Sequence, residues 1–201
     1  MKKRNIGSVK IRLNKDNLDK DFNRSSWGKT IWVIALILIA GYFSVSYVLG
    51  VKENSHPLKG QKAPNLTIKK IDGSEVELSS IVKGKKAIVI DFWATWCGPC
   101  RNALPALEKL SRNYDPNPVI FLGINVWDGK VEEIKKFLTE KDIKTVNIFL
   151  EKDEETSQRY SFNGIPAIFV LDEDMKVNNY FSGYSPYTDA QIKRAIDKLI
   201  K

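Results

Sequence analysis

The sequence is poor in the side chains that most often bind metals or attack substrates. Its 201 residues include two cysteines, Cys97 and Cys100, and one histidine, His56. Tetrahedral zinc needs four ligands, and no further cysteine exists, so a zinc site at the cysteine pair is disfavoured. His56 lies in a polar stretch without a second histidine to act with, which favours a solvated linker residue. No metal and no other cofactor are therefore expected.

Charged residues are absent from residues 31–51, which read IWVIALILIAGYFSVSYVLGV. At about 1.5 Å per residue, a helix of this length covers the roughly 30 Å hydrocarbon core of a bilayer. Trp27, Trp32 and Tyr47 lie at or near its ends, where amphipathic rings settle at membrane interfaces. Residues 31–51 are therefore predicted to form one transmembrane helix that anchors the protein in the lipid bilayer.

Other interpretations of this apolar run lack their usual signals. A buried core helix would carry a polar side, and none interrupts the run. A cleaved signal peptide would have a shorter apolar core followed by an A-x-A-like site, and the sequence has neither. A lipid anchor is disfavoured as well, since no cysteine lies near the run.

The net charge of +8 has a topological explanation. Residues 1–30 contain nine lysines and arginines and three aspartates, so they hold +6 of this charge. Basic segments beside a transmembrane helix stay on the cytoplasmic side. Residues 1–30 are thus predicted to be a disordered cytoplasmic tail along anionic lipid, and everything after Val51 is predicted to be outside the cytoplasm. A charge of this origin does not indicate nucleic acid binding.

The remaining chain is predicted to be a polar linker, residues 52–63, and one α/β domain, residues 64–201. Apolar runs typical of strands alternate with segments of helical periodicity, which predicts a mixed sheet flanked by helices. An Asp-Gly turn joins the first two runs, as in a hairpin. The charged run EKDEE at 151–155 is predicted to be a solvated face. The predicted strands are 66–71, 75–78, 87–93, 119–126, 146–150, 167–171 and 177–181, and the predicted helices are 97–112, 131–140, 154–160 and one from residue 188.

Both cysteines lie in the stretch DFWATWCGPC, residues 91–100. A structural disulfide here would close a very short loop and contribute little chain entropy. Cys97 follows a predicted strand and begins a predicted helix, where unpaired amides and the helix dipole favour a thiolate. Cys100 lies one turn further on, and Pro99 fits the first helical turn. The spacing therefore favours a redox pair, with an attacking thiol at Cys97 and a resolving thiol at Cys100.

Several motifs in residues 60–201 resemble the thioredoxin superfamily. WCGPC is similar to the thioredoxin active site, and the preceding DFWA matches the thioredoxin strand. GIPA, residues 164–167, is similar to the loop that carries a cis-proline in this fold, which would be Pro166. The N-terminal anchor, the hairpin at 66–78 and the helix plus strand at 127–150 further resemble the membrane-anchored TlpA/ResA/DsbE branch.

This resemblance implies a fold, an activity and partners. The fold is a thioredoxin fold with an N-terminal β-hairpin and a helix–strand insertion, preceded by one transmembrane helix. The activity is that of an extracytoplasmic thiol-disulfide oxidoreductase that reduces disulfides of exported proteins, and cytochrome c maturation is a role of the branch. The implied partners are disulfide-containing exported proteins and a membrane electron donor of the CcdA/DsbD type.

The resemblance also implies roles around the cysteine pair. Cys97 is the nucleophile and Cys100 the resolving thiol. Asp91 would be buried beneath them with a raised pKa and would take the proton of Cys100; the alternative is a strand residue bonded to nearby backbone. The backbone of Ile165 would pair with an extended substrate. The substrate groove is expected to include Trp96, Gly98, Pro99, Ile165 and Pro166.

The sequence departs from the branch near the cysteines. Ala103 stands where the branch commonly has a glutamate, two residues before Pro105. Asp91 stands where the branch more often has asparagine and thioredoxin has aspartate, so Asp91 must supply the acid. A milder departure is Ala167, since threonine usually follows the cis-proline. These differences weaken the transfer of the cytochrome c role.

Other functions use the same residues. A disulfide oxidase or isomerase would share the site, and the sequence does not set the reduction potential. A peroxiredoxin-like peroxidase is disfavoured, because its peroxidatic cysteine lies in a different local pattern without this pair. A non-catalytic thioredoxin-fold adaptor usually lacks a cysteine, and here both are present.

Overall fold

A computed structural model describes residues 31–42, 56–128 and 130–201. The chain separates into two units, Met1–Gly50 and Val51–Lys201. In the first unit, residues 31–42 are helical. The rest of the predicted transmembrane helix and the predicted basic tail lie outside the described residues. None of the described helices has the length and apolar character needed to cross a membrane.

In its described part, the second unit is a seven-stranded mixed sheet with helices on both faces. The strands are β1 Thr67–Lys69, β2 Glu75–Glu77, β3 Ala87–Trp93, β4 Val119–Asn125, β5 Asn147–Glu151, β6 Ala167–Asp172 and β7 Val177–Ser182. The helices are α1 Leu78–Ile81, α2 Cys100–Ser111, α3 Val131–Glu140, α4 Thr156–Arg159 and α5 Thr188–Leu199. The strand order is β2-β1-β5-β4-β3-β6-β7.

β3 lies inside the sheet because its sequence is apolar on both sides. Every residue of the strand is buried, and it pairs with β4 in parallel and with β6 in antiparallel orientation. Alternate side chains of a strand point to opposite faces. Val89 and Trp93 contribute to one core layer, with residues of α2, α3 and α5, whereas Ile90 and Phe92 contribute to the other. Asp91 therefore falls on the face of Val89 and Trp93.

The thioredoxin fold, the hairpin and the insertion are confirmed. β1 and β2 pair antiparallel around a turn in which Gly73 has a φ of 88°, a conformation that glycine adopts without steric cost. In the insertion, Ile134 and Phe137 are buried on one side of α3, and β5 pairs with both β4 and β1.

The predicted start of the active-site helix at Cys97 is wrong by three residues. α2 begins at Cys100, with Pro99 as its N-cap. A residue that precedes proline is disfavoured in helical conformation, which explains why Gly98 stays outside the helix. Cys97 consequently lies in the loop between β3 and α2.

The predicted solvated linker is wrong for residues 56–63. His56 is only 8% exposed, and its ring contacts the rings of Phe169 and Tyr180 at centroid distances of 5.1 and 4.1 Å. Burial lowers the pKa of His56. Further along the segment, the N–H of Gly60 donates to the carbonyl of Val177 in β7 at 2.8 Å. The segment is therefore part of the folded domain.

Candidate active site

The structure joins Cys97 and Cys100 in a disulfide with an S–S distance of 2.02 Å. Cys97 is 5% exposed and Cys100 is fully buried, so Cys97 is the sulfur nearer to solvent. The backbone N–H of Cys100, the first residue of α2, donates to Sγ of Cys97 at 3.2 Å. In the reduced protein an N–H in this position favours the Cys97 thiolate.

The predicted cis-proline loop lies against the disulfide. The peptide bond between Ile165 and Pro166 is cis, as the resemblance implied. The carbonyl oxygen of Ile165 lies 3.5 Å from Sγ of Cys97. The structure therefore brings together residues 97 and 165, which are 68 positions apart in the sequence.

Asp91 is a buried acid without a partner. It is fully buried, and neither carboxylate oxygen has a hydrogen-bond partner among the described residues. This finding contradicts the alternative in which Asp91 is bonded to nearby backbone. Burial raises the pKa of Asp91 well above its usual value. Asp91 faces the core layer that also contains Cys97 and Cys100.

The other predicted groove residues surround Cys97 at the surface. Trp96 is 62% exposed, and Gly98 and Pro99 are exposed as well. Ala103, at the position where the branch commonly has glutamate, is fully buried in α2. The acid nearest in sequence to the disulfide is therefore Asp91, on the strand side.

One polar network near the site was missed by the sequence reasoning. The carboxylate of Asp128 accepts the backbone N–H of Thr95 at 2.7 Å and its hydroxyl at 3.0 Å. The side-chain amide of Asn125 donates to the same carboxylate at 2.7 Å. β3 and β4 are parallel neighbours, so the residues that follow them meet at one edge of the sheet. The polar residues at the end of β4 could have indicated this network from the sequence. The network holds the loop before Cys97 in place.

Trp127 and Glu151 form a second missed feature. The N–H of Trp127 donates to Oε1 of Glu151 at 2.6 Å, and the carbonyl of Trp127 accepts from Nε1 of Trp96 at 3.4 Å. The other oxygen of Glu151 is buried without a hydrogen-bond partner in the described ranges, and burial raises the pKa of Glu151. The prediction of a solvated face at 151–155 is therefore wrong for Glu151.

Within the described ranges, no cluster of three or more His, Cys, Asp or Glu side chains is arranged to hold a metal ion. The reactive groups that the structure does assemble are two sulfurs, one buried carboxyl group and the backbone of a cis-proline loop. These groups are suited to thiol–disulfide exchange, in which the Cys97 thiolate attacks and Cys100 resolves.

A thioredoxin fold with a Cys-x-x-Cys disulfide after its central strand defines a protein thiol-disulfide oxidoreductase. Comparison with known proteins agrees with this class. The chain belongs to the AhpC/TSA family, whose model matches residues 59–180.

Individual relatives are thiol-disulfide oxidoreductases or thioredoxin-like proteins. The chain is 29% identical over 166 residues to the thioredoxin-like protein YneN of Bacillus subtilis, which covers 82% of this chain and 95% of that protein. It is 27% identical over 146 residues to the thiol-disulfide oxidoreductase ResA of Bacillus cereus, covering 72% and 82%. A structure described as the thiol:disulfide interchange protein DsbE of Chlorobium tepidum superimposes with a TM-score of 0.64 at 27% identity, covering 71% and 98%. The enzyme is therefore of the ResA/DsbE type.

Proposed function

We propose that the protein is a membrane-tethered reductant of disulfides in exported proteins and that its domain works outside the cytoplasm. The observation that carries the proposal is the asymmetry of the cysteine pair. Cys97, whose sulfur lies 3.5 Å from the carbonyl oxygen of Ile165, is 5% exposed, whereas Cys100 is fully buried. An attacking thiol needs access to the substrate, and a resolving thiol needs protection from it.

The reaction consists of two exchange steps. The Cys97 thiolate attacks one sulfur of the substrate disulfide, that S–S bond breaks, and the first substrate thiolate leaves. The Cys100 thiol then loses its proton and attacks Sγ of Cys97, so that the mixed disulfide breaks and the second thiolate leaves. Two electrons pass to the substrate, whose thiolates take protons from water. The enzyme ends as the Cys97–Cys100 disulfide.

Asp91 acts as the proton acceptor in the second step. Its burial without a hydrogen-bond partner among the described residues raises the pKa of the carboxyl group, which makes the ionised form a stronger base. After the step, Asp91 holds the proton that Cys100 has lost. Because a buried site without a cationic partner favours the neutral acid, only the fraction of molecules in which Asp91 has ionised performs this step, and that fraction grows as the pH rises.

Anchoring and electron supply complete the proposal. The uncharged residues 31–51 and the net charge of +6 in residues 1–30 support a tether with a cytoplasmic N-terminus. Each turnover leaves the oxidised pair, so two electrons must come from a dithiol donor, for which a membrane protein of the CcdA/DsbD type is suited. Cytochrome c maturation is one process that needs such a reductant. Because Asp91 and Ala103 differ from the residues common in the TlpA/ResA/DsbE branch, other exported disulfide proteins are equally suitable substrates.

Redox equilibration of the full-length protein with dithiol buffers tests the direction of electron flow. A reduction potential near that of thioredoxin, about −270 mV, supports a reductant, whereas a value near that of DsbA, about −120 mV, would make the protein an oxidase. In cells, Cys100→Ser should accumulate mixed disulfides with exported proteins through Cys97, and Cys97→Ser should accumulate none. Absence of such adducts from Cys100→Ser would contradict catalysis.

A further inference from the structure

We propose that Trp127 determines substrate specificity: with Trp96 it binds an apolar or aromatic side chain that lies beside the disulfide of the substrate polypeptide. The proposal rests on the proposed function, because it assumes that Cys97 attacks such a disulfide. It adds a substrate class, namely polypeptides whose reducible cysteine has an apolar neighbour.

Exposed aromatic side chains lie beside Cys97. In the described part of the second unit, the large hydrophobic side chains that are exposed are Trp96 at 62%, Trp127 at 40% and Tyr187 at 78%. Trp96 and Trp127 are neighbours, because Nε1 of Trp96 donates to the main-chain carbonyl of Trp127 at 3.4 Å, and Trp96 directly precedes Cys97. Neighbouring exposed aromatic side chains mark binding sites, and tryptophan is enriched among the residues that dominate binding.

Trp127 is held in place by fixed neighbours. Its φ of 59° lies in the left-handed region, which a bulky residue occupies only when its surroundings impose it. Oε1 of Glu151 accepts its N–H at 2.6 Å. Its ring lies 6.0 Å from the ring of Phe162, which stacks on Phe92 at 4.8 Å in the core. The exposed ring therefore has a rigid base, and little side-chain freedom is lost when a ligand binds.

The chemistry of exchange identifies the occupant. In the mixed disulfide, the substrate polypeptide is covalently bonded to Cys97 and must cover the surface around this sulfur. Trp96 adjoins Cys97 in sequence, and Trp127 adjoins Trp96 in space. The chain that carries the attacked disulfide is thus the chain that reaches both rings. Flat apolar or aromatic side chains gain most from contact with indole rings.

A pair of matched peptides tests the proposal with the full-length reduced protein. Both peptides contain one disulfide. They differ only in the residue that follows the first of its two cysteines, which is phenylalanine in one peptide and serine in the other. The measured quantity is the ratio of kcat/KM for the two peptides. We expect wild type to favour the phenylalanine peptide by about tenfold, the effect of a contact of about 1.4 kcal/mol.

Substitutions assign this ratio to the ring of Trp127. Trp127→Asn removes the ring and keeps a residue that tolerates the left-handed conformation, and the ratio should fall close to one. Trp127→Phe should keep most of the preference for the phenylalanine peptide. Tyr187→Ala, a matched loss of an exposed aromatic ring, should leave it unchanged. Urea unfolding of each variant confirms that the domain remains folded.

Two different failures can be told apart. A wild-type ratio of one, or a ratio that survives in Trp127→Asn, would overturn the specificity proposal while leaving the oxidoreductase intact. The wild-type ratio decides this point even if a variant fails to fold. Failure of wild type to reduce either peptide would instead contradict the proposed function.

Discussion

The buried carboxyl group of Asp91 is the residue on which the proposed mechanism depends most. If Asp91 takes the Cys100 proton, Asp91→Asn should slow thiol–disulfide exchange near neutral pH by about 10²–10⁴-fold, the usual contribution of a positioned base. The measurement is the exchange rate of the reduced protein as a function of pH. Asp174→Asn, at an exposed position, serves as the control and should keep the wild-type rate. An unchanged rate in Asp91→Asn would remove Asp91 from the mechanism.

The same substitution predicts a change in how stability depends on pH. The folded state holds the Asp91 proton more tightly than the unfolded state, where the pKa is near 3.8. As the pH rises above about 4, the unfolded state therefore loses this proton first, and the free energy of unfolding falls until the folded pKa is passed. In Asp91→Asn the free energy of unfolding should not fall in this way, because asparagine does not titrate.

Urea unfolding of the oxidised protein from about pH 4 to about pH 8 measures this effect, because only Asp91 differs between the two proteins. The stability of Asp91→Asn relative to wild type should increase as the pH rises across this window. A difference that stays constant would mean that the pKa of Asp91 in the folded protein is close to its usual value.

At the scale of elements, Glu108 joins α2 to the segment before β5. Its Oε2 accepts the backbone N–H groups of Thr145 and Val146 at 2.8 and 3.0 Å, and its Oε1 accepts from Arg112 at 3.2 Å. Burial alone would raise the pKa of Glu108, but these hydrogen bonds outweigh burial, and the net pKa is lowered. The ionised carboxylate therefore stabilises the attachment of the insertion.

Glu108→Gln should lower the free energy of unfolding by about 1–3 kcal/mol at pH 7, since hydrogen bonds to a charged acceptor are lost. Because the folded pKa is lowered, the contribution of Glu108 is complete above its unfolded pKa of about 4.5 and disappears as the pH falls through the folded pKa. Urea unfolding at neutral and acidic pH should therefore show a difference that shrinks in acid. Glu132→Gln, on the exposed side of α3, is the matched control and should change stability little.

Elements with a local signal could be predicted from the sequence. The apolar run of β3, the periodicity of α3 and the Asp-Gly turn between β1 and β2 each specify structure through neighbouring residues alone. The predicted start of α2 places Pro99 in the first helical turn, where its missing N–H has no cost, and neglects the effect of Pro99 on the residue before it. Helix ends depend on one or two residues and are the least certain part of such predictions.

Site residues could be predicted where a motif marks them and not where a distant contact does. Cys97, Cys100 and Pro166 lie in motifs, and the structure places them together. The burial of His56 depends on the rings of Phe169 and Tyr180, more than a hundred positions away, and no sequence pattern near His56 predicts these contacts. The bond between Trp127 and Glu151 likewise depends on how β4 and β5 end side by side.

For the whole molecule, the proposed topology makes a direct prediction. If residues 1–30 stay in the cytoplasm and residues 31–51 span the membrane, a reporter fused after Lys201 should be active only when it functions outside the cytoplasm. A reporter fused after residue 30 should show the opposite behaviour and serves as the control. Activity of a cytoplasm-only reporter at Lys201 would reverse the topology.

The packing of residues 56–63 on β7 also bears on how copies of the domain tolerate crowding. β7 is an edge of the sheet, and Gly60, Gln61 and Ala63 bond to the backbone of Met175 and Val177 along its start. The opposite edge, β2, is only three residues long, and two of them are glutamates. Covered, short or charged edges resist pairing with the strands of another molecule. If the proposed tether confines the enzyme to a membrane surface, its copies meet often there, and this protection would let them accumulate without aggregating.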